Sequence, residues 1–240
     1  MPRVSTASRV ISPADLSPAD LRPMPYGRTS IRKVRDAICE PLWGGRRVLI
    51  HVAGTAVAIR DEVGDGLDGY DLLREAIGET AQADEAVLDG YLLPAPLRDT
   101  TGAEAVIGLD SVESTADVSR RLLFGGGFGG HRREEEEAAR ARRFALPSSS
   151  PTAFVAIDLL WLEGESLLEV PLAERKRLLD SALLDGDVVR RTMAVRAPVE
   201  AWYAQWRALG FREFAAKDAN SRYTPGTASP AWATALIPKR

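Results

Sequence analysis

The chain offers few side chains whose types and spacing could perform chemistry. The glycine-rich stretch 125–130 could cradle a phosphate, but no Gly-Lys-Ser/Thr follows it and no strand pattern runs directly into it. His51 lacks the accompanying serine or cysteine motif that nucleophilic catalysis would need. Cys39 follows an apolar residue, which is typical of a small buried side chain. We therefore interpret the glycines as a flexible linker and both side chains as structural.

The apolar patterns predict the elements that must position any site. Residues 47–52 and 56–60 flank Gly54-Thr55 and predict a β-hairpin with Val48, Ile50 and Val52 on one face. Residues 153–162 form a nearly continuous apolar strand, which favours burial on both faces. Further strands are predicted at 86–93, 192–196 and 211–217, and helices at 71–77, from Pro171 onward, and at 199–209. Strands that alternate with helices indicate an α+β or α/β protein.

Composition bounds the domain organisation and the class of protein. The chain has 240 residues, 45% of them hydrophobic, and a formal net charge of -3. Residues 1–23 are expected to be a mobile N-terminal lead-in, and residues 24–240 one domain with an internal linker at about 125–151. A mild negative charge lowers the expectation of a nucleic-acid surface. With a single cysteine and without a long apolar run, we expect a cytoplasmic protein with no membrane association. The sequence does not define its oligomeric state.

Six segments, in order along the chain, resemble the adenylation (nucleotidyltransferase) domain of ATP-dependent DNA ligases. Residues 40–47 (EPLWGGRR) are similar to the family segment Glu-Pro-Lys-Trp-Asp-Gly-Tyr-Arg, and residues 87–92 to Leu-Asp-Gly-Glu-Leu. Residues 154–179 resemble the strand, turn and helix of the bacterial enzymes. The remaining similar segments cover residues 209–217, 221–226 and 229–232. The resemblance implies an α+β fold with two antiparallel or mixed β-sheets flanked by helices.

The resemblance also implies which positions should carry the ligase chemistry. In that family a lysine amine attacks the α-phosphate of ATP and forms lysyl-AMP, a covalent route that needs a nucleophilic side chain. Leu42 occupies this lysine position, and an aliphatic side chain cannot attack phosphorus. Gly44 replaces the aspartate two residues on, and Tyr91 replaces the glutamate of the third segment. Ile157 stands where an aromatic ring would stack on adenine.

The later segments depart from the family pattern in the same direction. Alignment on Lys217 places Arg212 where the metal-associated glutamate would be, and alignment on Trp232 places Thr234 and Leu236 where two phosphate-binding lysines would be. Phosphoryl transfer depends on cations and metal-holding carboxylates, so these replacements remove catalytic parts together. We therefore expect no catalytic residue and no metal ligand. ATP and Mg²⁺ are expected as cofactors only if activity is retained.

Three surviving residues could still contact a nucleotide. They are Glu40, Arg47 and Lys217, and an ion-paired or solvated lysine is an equal alternative for Lys217. Lys33 and Lys176 are candidate replacement nucleophiles by composition only, and neither is in a segment expected to face the nucleotide. The small β-barrel that closes over the nucleotide in the family, an OB-fold domain, is not expected in this chain.

Three functions remain open at this stage. The first is a catalytically inactive ligase homologue, a binding or scaffold protein in DNA repair whose partner would be DNA or a DNA-repair protein. The second is an active ligase or other nucleotidyltransferase with relocated catalytic residues. The third is a DNA- or nucleotide-binding module without chemistry. For the inactive homologue we expect a partly collapsed or apolar nucleotide groove, because Leu42 and Ile157 favour exclusion of water.

Overall fold

A computed structural model describes residues 16–94, 152–196 and 198–239. The expected linker at 125–151 and the first part of the expected lead-in lie outside the described residues. In chain order the strands are β1 (Ala37–Pro41), β2 (Arg46–Ala53), β3 (Ala56–Asp61), β4 (Glu85–Pro94), β5 (Thr152–Leu162), β6 (Glu165–Ser166), β7 (Val189–Arg191), β8 (Val195–Arg196), β9 (Glu213–Asp218) and β10 (Trp232–Leu236). The described α-helices are α1 (Asp71–Thr80), α2 (Leu172–Ala182) and α3 (Tyr203–Ala208).

The larger sheet has the strand order β3-β2-β4-β5-β6, and β7 pairs in parallel with β5. The other pairs are antiparallel. Strand β5 is buried along most of its length because it lies in the interior of this sheet. One face of the sheet carries the predicted stripe of Val48, Ile50 and Val52, which packs against Leu73 and Ile77 of α1. The predicted hairpin and its inward face are therefore confirmed.

The smaller sheet has the order β10-β9-β1-β8, and its described pairs are antiparallel. Phe214 and Ala216 on β9 pack in a second apolar cluster with Trp206 of α3 and with Val155 of the larger sheet. A third cluster joins Trp232 on β10 to residues of the larger sheet such as Leu49. The two sheets therefore share a continuous interior, and strands from both reach the candidate site.

Several predicted elements differ from those in the structure. Strands β1 and β10 were not predicted, because five-residue segments with Glu40-Pro41 or alternating alanines carry little apolar periodicity. The segment 192–196 forms a strand only at Val195–Arg196. The predicted helix at 199–209 divides into a 3₁₀-helix at Glu200–Trp202 and α3.

The N-terminal segment also differs from the expectation of a lead-in that ends at residue 23. Its described part forms a 3₁₀-helix at Pro18–Asp20 and then packs on the domain. Leu21 is 1% exposed and Met24 is fully buried. Apolar side chains spaced three apart anchor this segment, although the surrounding serines and prolines suggest a loop.

Among the described helices, none has the length and apolar composition needed to cross a lipid bilayer.

Candidate functional site: a buried charge network

Arg47 on β2 forms the first of three buried ionic groups at the junction of the sheets. Its guanidinium donates two hydrogen bonds to Asp89 on β4, with Nε–Oδ1 and Nη2–Oδ2 distances of 2.5 and 2.6 Å. Its Nη1 also donates to the hydroxyl of Tyr91 at 3.0 Å. Tyr223 donates its hydroxyl proton to Asp89 Oδ2 at 2.6 Å. The carboxylate is fully buried, so these charge-assisted bonds replace its lost hydration.

Asp158 on β5 and Arg175 on α2 form the second group. Arg175 donates from Nε and Nη2 to the two carboxylate oxygens at 2.9 and 2.8 Å. Both side chains have zero exposure. Burial alone would raise the pKa of Asp158, but the guanidinium outweighs burial and lowers it. The helix that follows Pro171 thus supplies a permanent cation to the sheet.

Glu40 on β1 forms the third group with two lysines. Lys217 on β9 donates from Nζ to Glu40 Oε2 at 2.9 Å, and its ammonium lies 4.2 Å from the ring centroid of Trp232. The Nζ of Lys176 on α2 lies 2.5 Å from Glu40 Oε1. Burial would raise the pKa of Glu40, yet the two ammonium groups lower it. Burial lowers the pKa of Lys176, and Lys217 adds to that shift.

The three groups together contain four cations and three carboxylates. The cations are Arg47, Arg175, Lys176 and Lys217, and the carboxylates are Glu40, Asp89 and Asp158. Each carboxylate already lies against at least one cation. A Mg²⁺ ion needs carboxylate oxygens that are free to coordinate it. Coordination of Mg²⁺ by these carboxylates would therefore require the displacement of a paired cation of the protein.

The positions implied by the resemblance fall into two sets. Glu40, Arg47, Tyr91 and Lys217 are buried and belong to or contact the network, and Ile157, 1% exposed, packs with Tyr91 in the apolar cluster beside it. The other positions lie outside the network. Leu42 and Gly44 are half-buried after β1, Arg212 is exposed, Thr234 is half-buried, and Leu236 is 50% exposed. The backbone N–H of Leu42 donates to the carbonyl of Glu213 at 3.0 Å.

Two expectations about this region need correction. A groove that is partly collapsed or apolar was expected, and the apolar alternative is wrong at Glu40, Arg47 and Lys217, which are buried as paired charges. Leu42 itself remains half-buried. The expectation that Lys176 lies away from the nucleotide-facing segments is wrong, since the first turns of α2 bring its ammonium against Glu40. Lys33 is exposed, at the end of the 3₁₀-helix Ile31–Lys33. Lys217 is ion-paired, one of the two alternatives left open by the sequence.

Sequence reasoning did not assign Asp89, Asp158, Arg175 or Tyr223 to the site, and it named Lys176 by composition only. Charged and phenolic side chains carry little individual signal, because they are usually solvated. The only usable hint was that Arg175 falls on the buried stripe of α2, four residues before Leu179.

Comparisons with known proteins find DNA ligases among the similar structures and sequences. A mycobacterial DNA ligase D, solved in complex with ATP and MES, superposes with a TM-score of 0.60 and 21% identity over 91% of this chain and 61% of its own. The multifunctional non-homologous end joining protein LigD of Mycolicibacterium smegmatis is 27% identical over 94% of this chain and 25% of its own length. A DNA ligase of Methanoculleus marisnigri is 36% identical over 78 residues, 32% of this chain and 14% of that protein. No protein-family model matches the chain.

The chain has the fold of a DNA ligase adenylation domain, with two mostly antiparallel sheets and flanking helices as the resemblance implied. The resemblance to the adenylation domains of ATP-dependent DNA ligases is confirmed at the level of the fold. The chain spans a quarter or less of the length of these two curated relatives.

Proposed function

We propose that this chain is a ligase-type adenylation fold that does not form a lysyl adenylate and serves DNA repair as a binding or scaffold component. The observation that carries the proposal is Leu42, a hydrocarbon at the position that the resemblance assigns to the nucleophile. The electrostatics support it. The cations that survive from the family pattern, Arg47 and Lys217, each form an ion pair with a carboxylate of the protein, Asp89 and Glu40 respectively.

Incubation with [α-³²P]ATP and either Mg²⁺ or Mn²⁺, followed by a denaturing gel, tests this proposal. We expect no label on the protein under conditions that label an authentic ATP-dependent ligase. A protein-bound label that survives denaturation contradicts the proposal, because only a covalent adenylate withstands it.

The partner that we propose is DNA or a DNA-repair protein, since one relative is named for non-homologous end joining. Binding to a nicked duplex should be saturable at low ionic strength and weaken as salt rises, because phosphate contacts release counterions. Fluorescence anisotropy with a labelled nicked duplex measures it. Absence of salt-sensitive binding removes DNA as the partner and leaves a repair protein.

Lys176 supports a second candidate function, an adenylating enzyme with a relocated nucleophile. Its amine lies against Glu40, two residues before Leu42, and its pKa is lowered. In such a reaction Glu40 would accept the ammonium proton, the neutral nitrogen would bond to the α-phosphorus, and pyrophosphate would leave. This candidate predicts that the labelling assay is positive and that Lys176→Met abolishes the label. Lys33→Met, which changes an exposed lysine, is the matched control.

A further inference from the structure

Tyr26 lies between the two sheets, beside the charged residues described above. Its ring centroid is 5.8 Å from that of Trp232 on β10, and the guanidinium carbon of Arg47 on β2 lies 5.7 Å from the same ring. Its hydroxyl is 3.4 Å from the hydroxyl of Tyr91 on β4. One aromatic side chain from the N-terminal segment therefore contacts residues of both sheets. Two of them, Arg47 and Tyr91, stand at positions to which the resemblance gives a role in the ligase chemistry.

The backbone around Tyr26 is held independently of its ring. Gly27 donates its N–H to the carbonyl of Trp232 at 2.8 Å, and Met24 donates its N–H to the hydroxyl of Tyr223 at 2.7 Å. A Cβ at position 27 would collide with the carbonyl of Ser229, so the segment approaches the β9–β10 connection as closely as a glycine allows. Leu21 and Met24 are buried below it. These contacts fix the backbone at Tyr26, and none of them involves the Tyr26 ring.

The Tyr26 side chain is more exposed than its neighbours and has a weaker polar contact. Tyr26 is half-buried, whereas Arg47, Tyr91 and Trp232 are each at most 7% exposed. The Tyr26 hydroxyl accepts a long hydrogen bond from the Tyr91 hydroxyl. Burial raises the pKa of Tyr26 to about 12, so the ring stays neutral at physiological pH and adds no charge to the network. Its contribution is to fill space above Arg47 and beside Trp232.

We propose that Tyr26 occludes the nucleotide groove of this fold, with its ring occupying the space beside Arg47 and Trp232 that a bound nucleotide would need. This inference rests on the proposed function, because both take the location of the nucleotide groove from the resemblance to the ligase fold. It adds a cause for weak nucleotide binding that is separate from the loss of the nucleophile. Leu42 leaves the chain without the nucleophile, and the Tyr26 ring fills the space for the nucleotide.

Titration of the full chain with a fluorescent N-methylanthraniloyl ATP, in EDTA and in Mg²⁺, tests the proposal. Tyr26→Ala should bind at least about tenfold more tightly than the wild type, a change equal to about 1.4 kcal/mol. Tyr26→Phe keeps the ring and should match the wild type. Pro25→Ala alters the exposed neighbour and should also match it. Unlabelled ATP, adenosine and tripolyphosphate as competitors identify which part of the nucleotide takes the vacated space.

Equal affinity of wild type and Tyr26→Ala, with both proteins folded by circular dichroism, overturns the proposal. If Tyr26→Ala does not fold, Tyr26→Leu provides the same comparison with a smaller cavity, and equal affinity of that variant overturns it as well. The readout is non-covalent, so it separates from the labelling assay. Tight binding without a label supports both proposals, tight binding with a label contradicts only the proposed function, and unchanged binding without a label contradicts only the occlusion.

Discussion

At the scale of single residues, the molecule is characterised by charges that are fully buried and paired. Asp158 and Arg175 illustrate why this matters for stability, since neither side chain is exposed to water. A buried pair adds little net stability compared with apolar residues, but removal of one partner strands the other charge in a medium of low polarity. The network is therefore sensitive to any single substitution within it.

Arg175→Met should lower the free energy of unfolding by about 3–5 kcal/mol, because Asp158 would remain buried without its cation. Urea denaturation followed by circular dichroism measures the change. Arg177→Met, two residues along α2, removes an exposed pair with Glu174 and should cost at most about 1 kcal/mol. Similar losses for the two variants would contradict the burial argument.

His51 predicts a dependence of stability on pH. Its Nε2 is buried without a hydrogen-bond partner in the described structure. Burial, assisted by Arg60 and Arg22, lowers its pKa to about 4. The unfolded chain, whose histidine pKa is about 6.5, therefore binds more protons between these two values. The stability that comes from neutral His51 is fully present above about 6.5 and is lost as pH falls toward 4.

The wild type should lose on the order of 2–3 kcal/mol of unfolding free energy from this residue across that window. His51→Asn should show a flatter profile between pH 6.5 and 4.5, and carboxylates that begin to titrate at the lower end do so in both proteins and cancel in the comparison. Urea midpoints measured at half-unit pH steps provide the comparison. Parallel profiles for the two proteins would rule out the assigned role of His51.

At the scale of elements, two glycines differ in whether the surrounding strand or helix leaves space for a side chain. Gly90 on β4 faces β5, and a Cβ there would collide with the carbonyl of Val155 and the ring of Phe154. Gly78 lies in α1 with open space where its Cβ would be. The same substitution should therefore have opposite effects at the two sites.

Gly90→Ala should destabilise the protein by about 1–3 kcal/mol, as overpacking in a core does. Gly78→Ala should stabilise it by up to about 1 kcal/mol, because alanine is the better helix former. Thermal unfolding of both variants beside the wild type measures the two effects. Stabilisation at Gly90, or destabilisation at Gly78, would contradict the local geometry described here.

The elements also show what the sequence could and could not reveal. The hairpin β2–β3 and strand β5 were predictable because their apolar residues follow the period of a strand buried on one or both faces. Strands β1 and β10 were not, since their pairing is decided by β9 between them rather than by their own pattern. Lys176 was misplaced for a related reason, because the long-range docking of α2 decides which side of the helix meets Glu40.

At the scale of the whole molecule, the two sheets have the arrangement of a DNA ligase adenylation domain, and the buried charges at their junction pair with one another. Of the three residues that the resemblance suggested for nucleotide contacts, Arg47 pairs with Asp89, and Glu40 pairs with Lys217 and Lys176. A framework that binds its own charges can fold without a nucleotide. The identities of the replaced residues were readable from the sequence, whereas the internal pairing required the coordinates.

Intact-mass spectrometry of the full chain after incubation with ATP and Mg²⁺ distinguishes a fold that forms no lysyl adenylate from an adenylating enzyme. We expect a single species at the unmodified mass, both as purified and after incubation. A species heavier by one AMP, with the adduct mapped to a lysine by peptide sequencing, would contradict it and establish this chain as an adenylating enzyme.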